Sequence, residues 1–186
     1  MRCFLAIELP REVLQRLVAL QEELQSVRRE VRWTRPEHIH LTLKFFGEVA
    51  DGDLPEVHNV ARAIAARVEP IDLEVRGAGC FPPGGPVRIV WAGVVGPPPV
   101  LVECWQACEH GFAELGFKPE QRDYRPHLTI GRVRNARASQ QIRSAVDQQD
   151  SFSGGQFVAE GLTLFQSVLS RSGPTYTALA RMPFSG

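Results

Sequence analysis

The stretch from Glu37 to Phe46, Glu-His-Ile-His-Leu-Thr-Leu-Lys-Phe-Phe, alternates polar and apolar side chains with a period of two. Successive side chains of a β-strand point to opposite faces of a sheet, so this pattern predicts a half-buried strand. The polar face is free for chemistry, and the apolar face can cover helices. The predicted polar face carries His38, His40, Thr42 and Lys44, and the predicted apolar face carries Ile39, Leu41, Leu43 and Phe45.

The core of this stretch, His40-Leu41-Thr42-Leu43, has a near copy in His127-Leu128-Thr129-Ile130. The chain has only five histidines, so two of them in matching contexts indicate a paired site. Pro126 precedes the second copy, where a strand tolerates its missing N–H. If the two strands lie side by side, two imidazoles and two hydroxyls face one cleft. Imidazole titrates near neutral pH, so the pair can supply one general acid and one general base.

The two motifs, about ninety residues apart in a chain of 186, resemble the 2H phosphoesterase superfamily. Their flanks are similar to those of the RNA 2′,3′-cyclic phosphodiesterases, once called 2′-5′ RNA ligases. The similarity covers nearly the whole chain, and its segments follow the same order. The segments that carry it are Arg2–Pro10, His40–Gly47, Arg88–Val94, Pro126–Arg132 and Leu162–Ser167, followed by Gly173 and Tyr176.

This resemblance implies hydrolysis of a terminal 2′,3′-cyclic phosphate of RNA to a 2′-phosphomonoester, with no metal or other cofactor. It implies that His40 is the general acid for the departing 3′ oxygen and that His127 is the general base for water. The residues alone leave the order of these two roles open. The hydroxyls of Thr42 and Thr129 can donate hydrogen bonds to the non-bridging oxygens. The reverse reaction, with an RNA 5′-hydroxyl replacing water, would be a weak 2′-5′ ligation.

Six further residues are candidate substrate contacts. The family motif carries an arginine five residues after the second histidine, and Arg132 occupies that position, where it would contact phosphate or the adjacent nucleotide. Strict alternation places Arg132 on the face opposite His127, unless Gly131 permits a β-bulge. Aromatic rings bind single-stranded RNA ends by stacking, although phenylalanines in strands are more often core. The candidates for stacking are Phe4, Phe45, Phe46 and Trp33, and Lys44 is a candidate phosphate contact.

Short strands separated by helices predict an α+β fold. Polar faces on both motif strands favour an open antiparallel sheet over a parallel sheet covered on both sides. The resemblance implies two pseudo-symmetric lobes of antiparallel sheet with outer helices, each lobe contributing one His-x-Thr strand to a central cleft. We expect the C-terminal strands to return across the molecule, so that residues 1–186 form a single bilobal domain. Helices are predicted at Pro10–Arg29, from Asp51 or Asp53 to Val68, at Pro97–Leu115 and at Ala136–Gln149.

Composition limits the partners and the location. The chain has 21 basic and 21 acidic side chains, which argues against holding long nucleic acid by bulk charge but suits one terminal phosphate. No apolar run approaches membrane-spanning length, and no signal peptide is apparent. The spacing of Cys104 and Cys108 near His110 matches no usual zinc pattern. We therefore expect a cytoplasmic monomer that acts on RNA 3′ ends bearing 2′,3′-cyclic phosphate, with no metal and no membrane contact.

Two alternatives to this function stay open. The same chemistry could act on a cyclic phosphate of a nucleotide or of an ADP-ribose derivative. Alternatively, the chain could be a non-catalytic module that binds RNA ends in the same cleft. Both complete motifs are present, which favours an enzyme, because a retired site would tolerate loss of a histidine.

Overall fold

The computed structural model describes residues 1–170 and 173–186, and within them nine strands pair into one antiparallel sheet. The strands are β1 (Arg2–Ile7), β2 (Val31–Trp33), β3 (Leu41–Glu48), β4 (Ile71–Phe81), β5 (Ile89–Val95), β6 (His127–Val133), β7 (Ser153–Ala159), β8 (Gly161–Ser170) and β9 (Gly173–Pro183). The helices are α1 (Arg11–Glu23), α2 (Leu54–Ala65), α3 (Pro99–Glu114) and α4 (Ser139–Asp147).

The strand order is symmetric about its centre. It runs β7-β4-β5-β6-β3-β1-β8-β9, and β2 pairs with β6 beside this path. We call β3, β1, β8 and β9 the His40 half, and β6, β5, β4 and β7 with β2 the His127 half. The motif strands β3 and β6 meet in the middle, and each half continues outward through three further strands. The predicted α+β fold with two pseudo-symmetric antiparallel lobes is confirmed.

Helices cover the apolar side of both halves, but the chain does not build one half and then the other. Helix α1 packs on β7 and α4 on β4, whereas α2 packs on β8 and β9 and α3 on β3. Strand β1 pairs with β8 from the end of the chain, so the predicted return of the C-terminal strands is confirmed. Each half therefore combines segments that are distant in sequence.

The first motif strand begins later than the alternation predicts. Residues Pro36–His38 form a 3₁₀ turn, and β3 starts only at Leu41. Proline fits the first position of a helical turn and has no N–H for a sheet ladder, which explains the late start. The turn, rather than strand alternation, therefore places His38.

The two halves of the sheet join where β3 meets β6. Leu41 of β3 lies opposite Leu128 of β6, and this is the one ladder position recorded between the two strands within the described residues. Both leucine side chains are fully buried. The junction is thus held by apolar packing as much as by backbone pairing, and it fixes how the motifs face each other.

A β-bulge interrupts the alternation of β3. Ala6 of β1 pairs with Thr42, and the next residue, Leu5, pairs with Lys44, so Leu43 is the extra residue. A bulge reverses which side chains point to which face beyond it. Lys44 is consequently buried at 4% exposure, where its Nζ lies 2.7 Å from Glu109 Oε2 on α3. The prediction that Lys44 lies on the polar face and contacts phosphate is wrong, because the bulge turns it toward the helices.

A second bulge occurs at the same place in β6. Trp91 of β5 pairs with Thr129 and Val90 pairs with Gly131, so Ile130 is the extra residue. Leu43 and Ile130 are each three residues after their motif histidine. Beyond the bulge, Arg132 returns to the face of His127. The symmetric position in β3 is Phe45, whose side chain is 67% exposed.

Gly131, which follows the second bulge, lies against β2 with no room for a side chain. A Cβ atom at Gly131 would lie 2.5 Å from Val31 Cγ1 and 2.9 Å from Trp33 Cε3. We expect Gly131→Ala to lower the free energy of unfolding by ~1–3 kcal/mol through overpacking. A Cβ at Gly52 meets nothing within 4 Å, so Gly52→Ala is the matched control. Urea denaturation of both variants provides the measurement, and equal midpoints would contradict this role of Gly131.

Candidate active site

The Leu41–Leu128 pair places the four motif side chains around one point. Because the two strands are antiparallel, Thr42 lies on the His127 side of this pair, and His40, which precedes β3, lies on the Thr129 side. All four side chains are partly exposed, whereas the two leucines between them point into the core. The sheet therefore presents two imidazoles and two hydroxyls, related by an approximate two-fold axis, to one groove.

The imidazole of His127 is held by its own backbone. Its Nδ1 lies 2.7 Å from the carbonyl oxygen of Arg125. A carbonyl only accepts hydrogen bonds, so Nδ1 carries the proton, and Nε2 of the neutral ring keeps a free lone pair. The ring of Phe81 meets the imidazole edge-on, with centroids 5.0 Å apart. His127 is thus oriented with its basic nitrogen available.

The imidazole of His40 lies in a more apolar setting. The ring of Phe4 stacks on it with centroids 4.6 Å apart, and Tyr176 meets it edge-on at 5.5 Å. Burial disfavours the charged imidazolium and lowers the pKa of His40 to about 4. A hydrogen bond with the backbone of His38 raises that pKa, while the positive charges of His38 and Arg132 lower it. In the protein without bound substrate, the His40 imidazole is therefore neutral at pH 7.

Phe4 is buried beneath the His40 ring and packs against it. Its side chain is 2% exposed, and it stacks on Phe165 of β8 at 5.1 Å. Phe45 lies opposite Phe4 on β3, with ring centroids 5.9 Å apart. A ring so buried offers no face to a base, so the predicted substrate contact of Phe4 does not fit its position. Phe4 instead fixes the plane of the His40 imidazole by stacking on it.

Three aromatic residues of the site were not predicted as site residues. They are Phe165, Tyr176 and Phe81. The first two lie in segments that carry the resemblance to the family, but neither was predicted to contact the site. Phe165 pairs directly with Phe4 across β1 and β8, a proximity that only the strand register reveals. Of the other stacking candidates, Phe46 packs edge-on against Phe112, and Trp33 packs on the core. Phe45 is thus the stacking candidate with a broadly exposed ring.

Metal-ligand clusters and membrane-spanning helices are both absent from the described residues. Among residues 1–170 and 173–186, no three His, Cys, Asp or Glu side chains cluster closely enough to hold a metal ion. No helix within these ranges combines the length and apolarity needed to cross a membrane.

The charge of Arg132 gives a test of the site electrostatics. Because that charge lowers the pKa of His40, Arg132→Gln should raise it from its value of about 4. A bound phosphate anion favours imidazolium and should raise the same pKa. NMR titration of the His40 ring resonances measures both effects. An unchanged or lower midpoint in Arg132→Gln would show that the guanidinium does not act on His40.

Comparison with known proteins places this geometry in a family. The LigT like Phosphoesterase family matches residues 7–91 and 95–176. An RNA 2′,3′-cyclic phosphodiesterase of Methanothermobacter thermautotrophicus is 35% identical, with 95% of each chain covered. A protein of the same name from Methanocaldococcus jannaschii is 31% identical over 96% of this chain and 98% of its own.

The fold agrees with the sequence match. The crystal structure of the protein TT0787 of Thermus thermophilus superposes with a TM-score of 0.85 at 27% identity, covering 100% of this chain and 99% of that chain. The family match extends across both His-x-Thr motifs and the strands that carry them. The chain therefore belongs to the LigT-like phosphoesterases of the 2H phosphoesterase superfamily.

Proposed function

We propose that this protein hydrolyses the 2′,3′-cyclic phosphate at RNA 3′ ends to a 2′-phosphomonoester by metal-independent acid–base catalysis. The observation that carries the proposal is the Leu41–Leu128 junction, which sets two His-x-Thr motifs around one groove. The names of full-length relatives at 31–35% identity support the same substrate. Reverse ligation to a 2′-5′ linkage belongs to the proposal as a weak activity.

The chemistry requires two proton transfers on opposite sides of phosphorus. Water attacks in line with the departing ribose oxygen, so one group must accept a proton and another must donate one. In the proposed assignment His127 accepts the proton of water through Nε2, and His40 protonates the 3′ oxygen. The Thr42 and Thr129 hydroxyls donate hydrogen bonds to the non-bridging oxygens, on which charge grows in the transition state.

The low pKa of His40 opposes this assignment in the free protein, since a general acid must start protonated. The cyclic phosphate carries one negative charge and, in the proposed assignment, lies between His40 and His127. That charge favours the imidazolium and offsets the repulsion from Arg132. Substrate binding is therefore the event that charges His40, and a protein without substrate keeps this ring neutral.

Two side chains at symmetric positions complete the proposed substrate contacts. Phe45 and Arg132 each lie five residues after a motif histidine, and each is turned to the groove by a bulge. The exposed ring of Phe45 suits a base, and the guanidinium of Arg132 suits phosphate. Because catalysis needs both strands, we propose that the chain acts as one bilobal domain and as a monomer.

Loss of either histidine tests the paired mechanism. His40→Ala and His127→Ala should each lower kcat by ~10²–10⁴-fold, because each removes one proton-transfer partner. His110→Ala is the matched control, since its ring is 83% exposed on α3. Turnover of a 2′,3′-cyclic-phosphate oligonucleotide provides the measurement, with circular dichroism to check folding. Near wild-type turnover in either variant would refute the paired mechanism.

The position of the product phosphate tests which ribose oxygen departs. If the 3′ oxygen departs toward His40, only the P–O3′ bond breaks, and the phosphate stays on the 2′ oxygen. Phosphorus NMR of the product distinguishes a 2′-phosphate from a 3′-phosphate. A predominant 3′-phosphate would show that the P–O2′ bond breaks instead, which would contradict departure of the 3′ oxygen toward His40.

A further inference from the structure

Two arginines face each other across neighbouring strands at one end of the groove. Arg32 of β2 pairs directly with Arg132 of β6, and both side chains are exposed. Like charges directly opposite each other destabilise a sheet. An unfavourable pair of this kind, placed beside a catalytic groove, is relieved by an anion bound between the two guanidinium groups.

The neighbouring polar pair along β2 and β6, Glu30 and Arg134, has side chains of opposite charge. The Arg134 N–H donates to the carbonyl oxygen of Glu30 at 2.8 Å, which extends the ladder and sets opposite charges across from each other. Arg32 and Arg132 differ from this pair. Within residues 1–170 and 173–186, no carboxylate oxygen forms an ion pair with either guanidinium at 4.0 Å or less.

Arg132 lies nearer to His40 than Arg32 does. The charge of Arg132 acts on both His40 and Tyr176, whereas Arg32 acts on Tyr176. The start of β9 lies close to Arg32, since a Cβ built on Gly173 would be 3.4 Å from Arg32 Nη2. His38 also approaches Tyr176, with ring centroids 4.7 Å apart. Arg132 is thus the inner member of the pair and Arg32 the outer member.

We propose that Arg32 and Arg132 form a subsite for the internucleotide phosphate on the 5′ side of the terminal nucleotide. This inference rests on the proposed function. The histidines and threonines already surround the terminal cyclic phosphate. A 3′-terminal nucleotide has one other backbone phosphate beside it, on its 5′ side, and that group is anionic. Guanidinium groups bind phosphate oxygens through two parallel N–H donors.

The subsite makes RNA oligonucleotides the preferred substrate class. A nucleoside 2′,3′-cyclic phosphate carries no 5′-side phosphate and cannot use the arginine pair. A dinucleotide with one internucleotide phosphate can use it fully. The chain carries no net charge, so selection for an RNA end falls to this local pair rather than to an overall positive field.

The test compares four substrates with the wild-type protein. They are a nucleoside 2′,3′-cyclic phosphate, its 5′-phosphorylated form, the dinucleotide cyclic phosphate, and the same dinucleotide with an uncharged methylphosphonate linkage. The value of kcat/KM should rise at least about tenfold with a charged 5′-side phosphate, the size expected for hydrogen bonds to a charged group. The methylphosphonate should lose that gain, and the 5′-phosphorylated mononucleotide should retain it.

Arg32→Gln should lower the ratio of kcat/KM for dinucleotide over mononucleotide by about tenfold. In the same variant, the affinity for a dinucleotide 2′-phosphate product should depend less on salt. The slope of log affinity against log salt concentration should decrease in magnitude by about 0.7, the value for loss of one phosphate contact to a single strand. Arg62→Gln removes the same charge from α2, on the helix side, and should leave the ratio unchanged.

The outcomes separate this inference from the proposed function. No turnover of any cyclic phosphate would refute the proposed function itself. Turnover of all four substrates with equal kcat/KM would refute only the subsite. A gain that survives in the methylphosphonate would show that the second nucleoside is recognised instead of its phosphate. An equal loss for Arg32→Gln on charged and uncharged dinucleotides would show that Arg32 acts through the fold and not as a phosphate contact.

Discussion

The packing of Leu41 against Leu128 is the constraint on which the site depends. Within the described residues, one ladder position joins the two halves of the sheet, so backbone hydrogen bonds alone hold the junction weakly. Full burial of a leucine contributes ~1.5–3 kcal/mol, and both leucines are fully buried. Because side chains alternate along a strand, burying these two residues forces their four polar neighbours into the groove. The core thus sets the geometry of the groove residues.

The sequence predicts the parts of the site that follow from local pattern. The repeated His-x-Thr alternation indicates both the paired strands and the polar face on which His40 and His127 lie. The side chains beyond the bulges could not be placed in this way. Whether Leu43 is an extra residue depends on how β3 registers with β1, and that register is set by contacts distant in sequence. The same tertiary effect turned Lys44 inward and Phe45 outward.

The two histidines have the same motif but different surroundings. His127 meets one aromatic edge and a backbone carbonyl, whereas His40 is enclosed by Phe4, Phe165 and Tyr176. An approximate two-fold axis thus relates the backbone but not the side-chain environment. Such a difference allows two copies of one motif to take separate roles, because burial disfavours the charged imidazolium and so changes the pKa of the ring. Local sequence could not reveal it, since the enclosing rings come from β1, β8 and β9.

The exchange of segments between the halves has a consequence for folding during synthesis. Strands β4 to β7 occupy residues 71–159 without a strand from elsewhere except β2, so most of the His127 half emerges from a ribosome as one stretch. The His40 half must wait, because β1 lacks its neighbour β8 until Gly161–Ser170 has been made. The histidine made first is therefore the one enclosed last. During that interval one edge of β1, the strand that carries Phe4, has no sheet partner, which leaves this strand open to mispairing in a nascent chain.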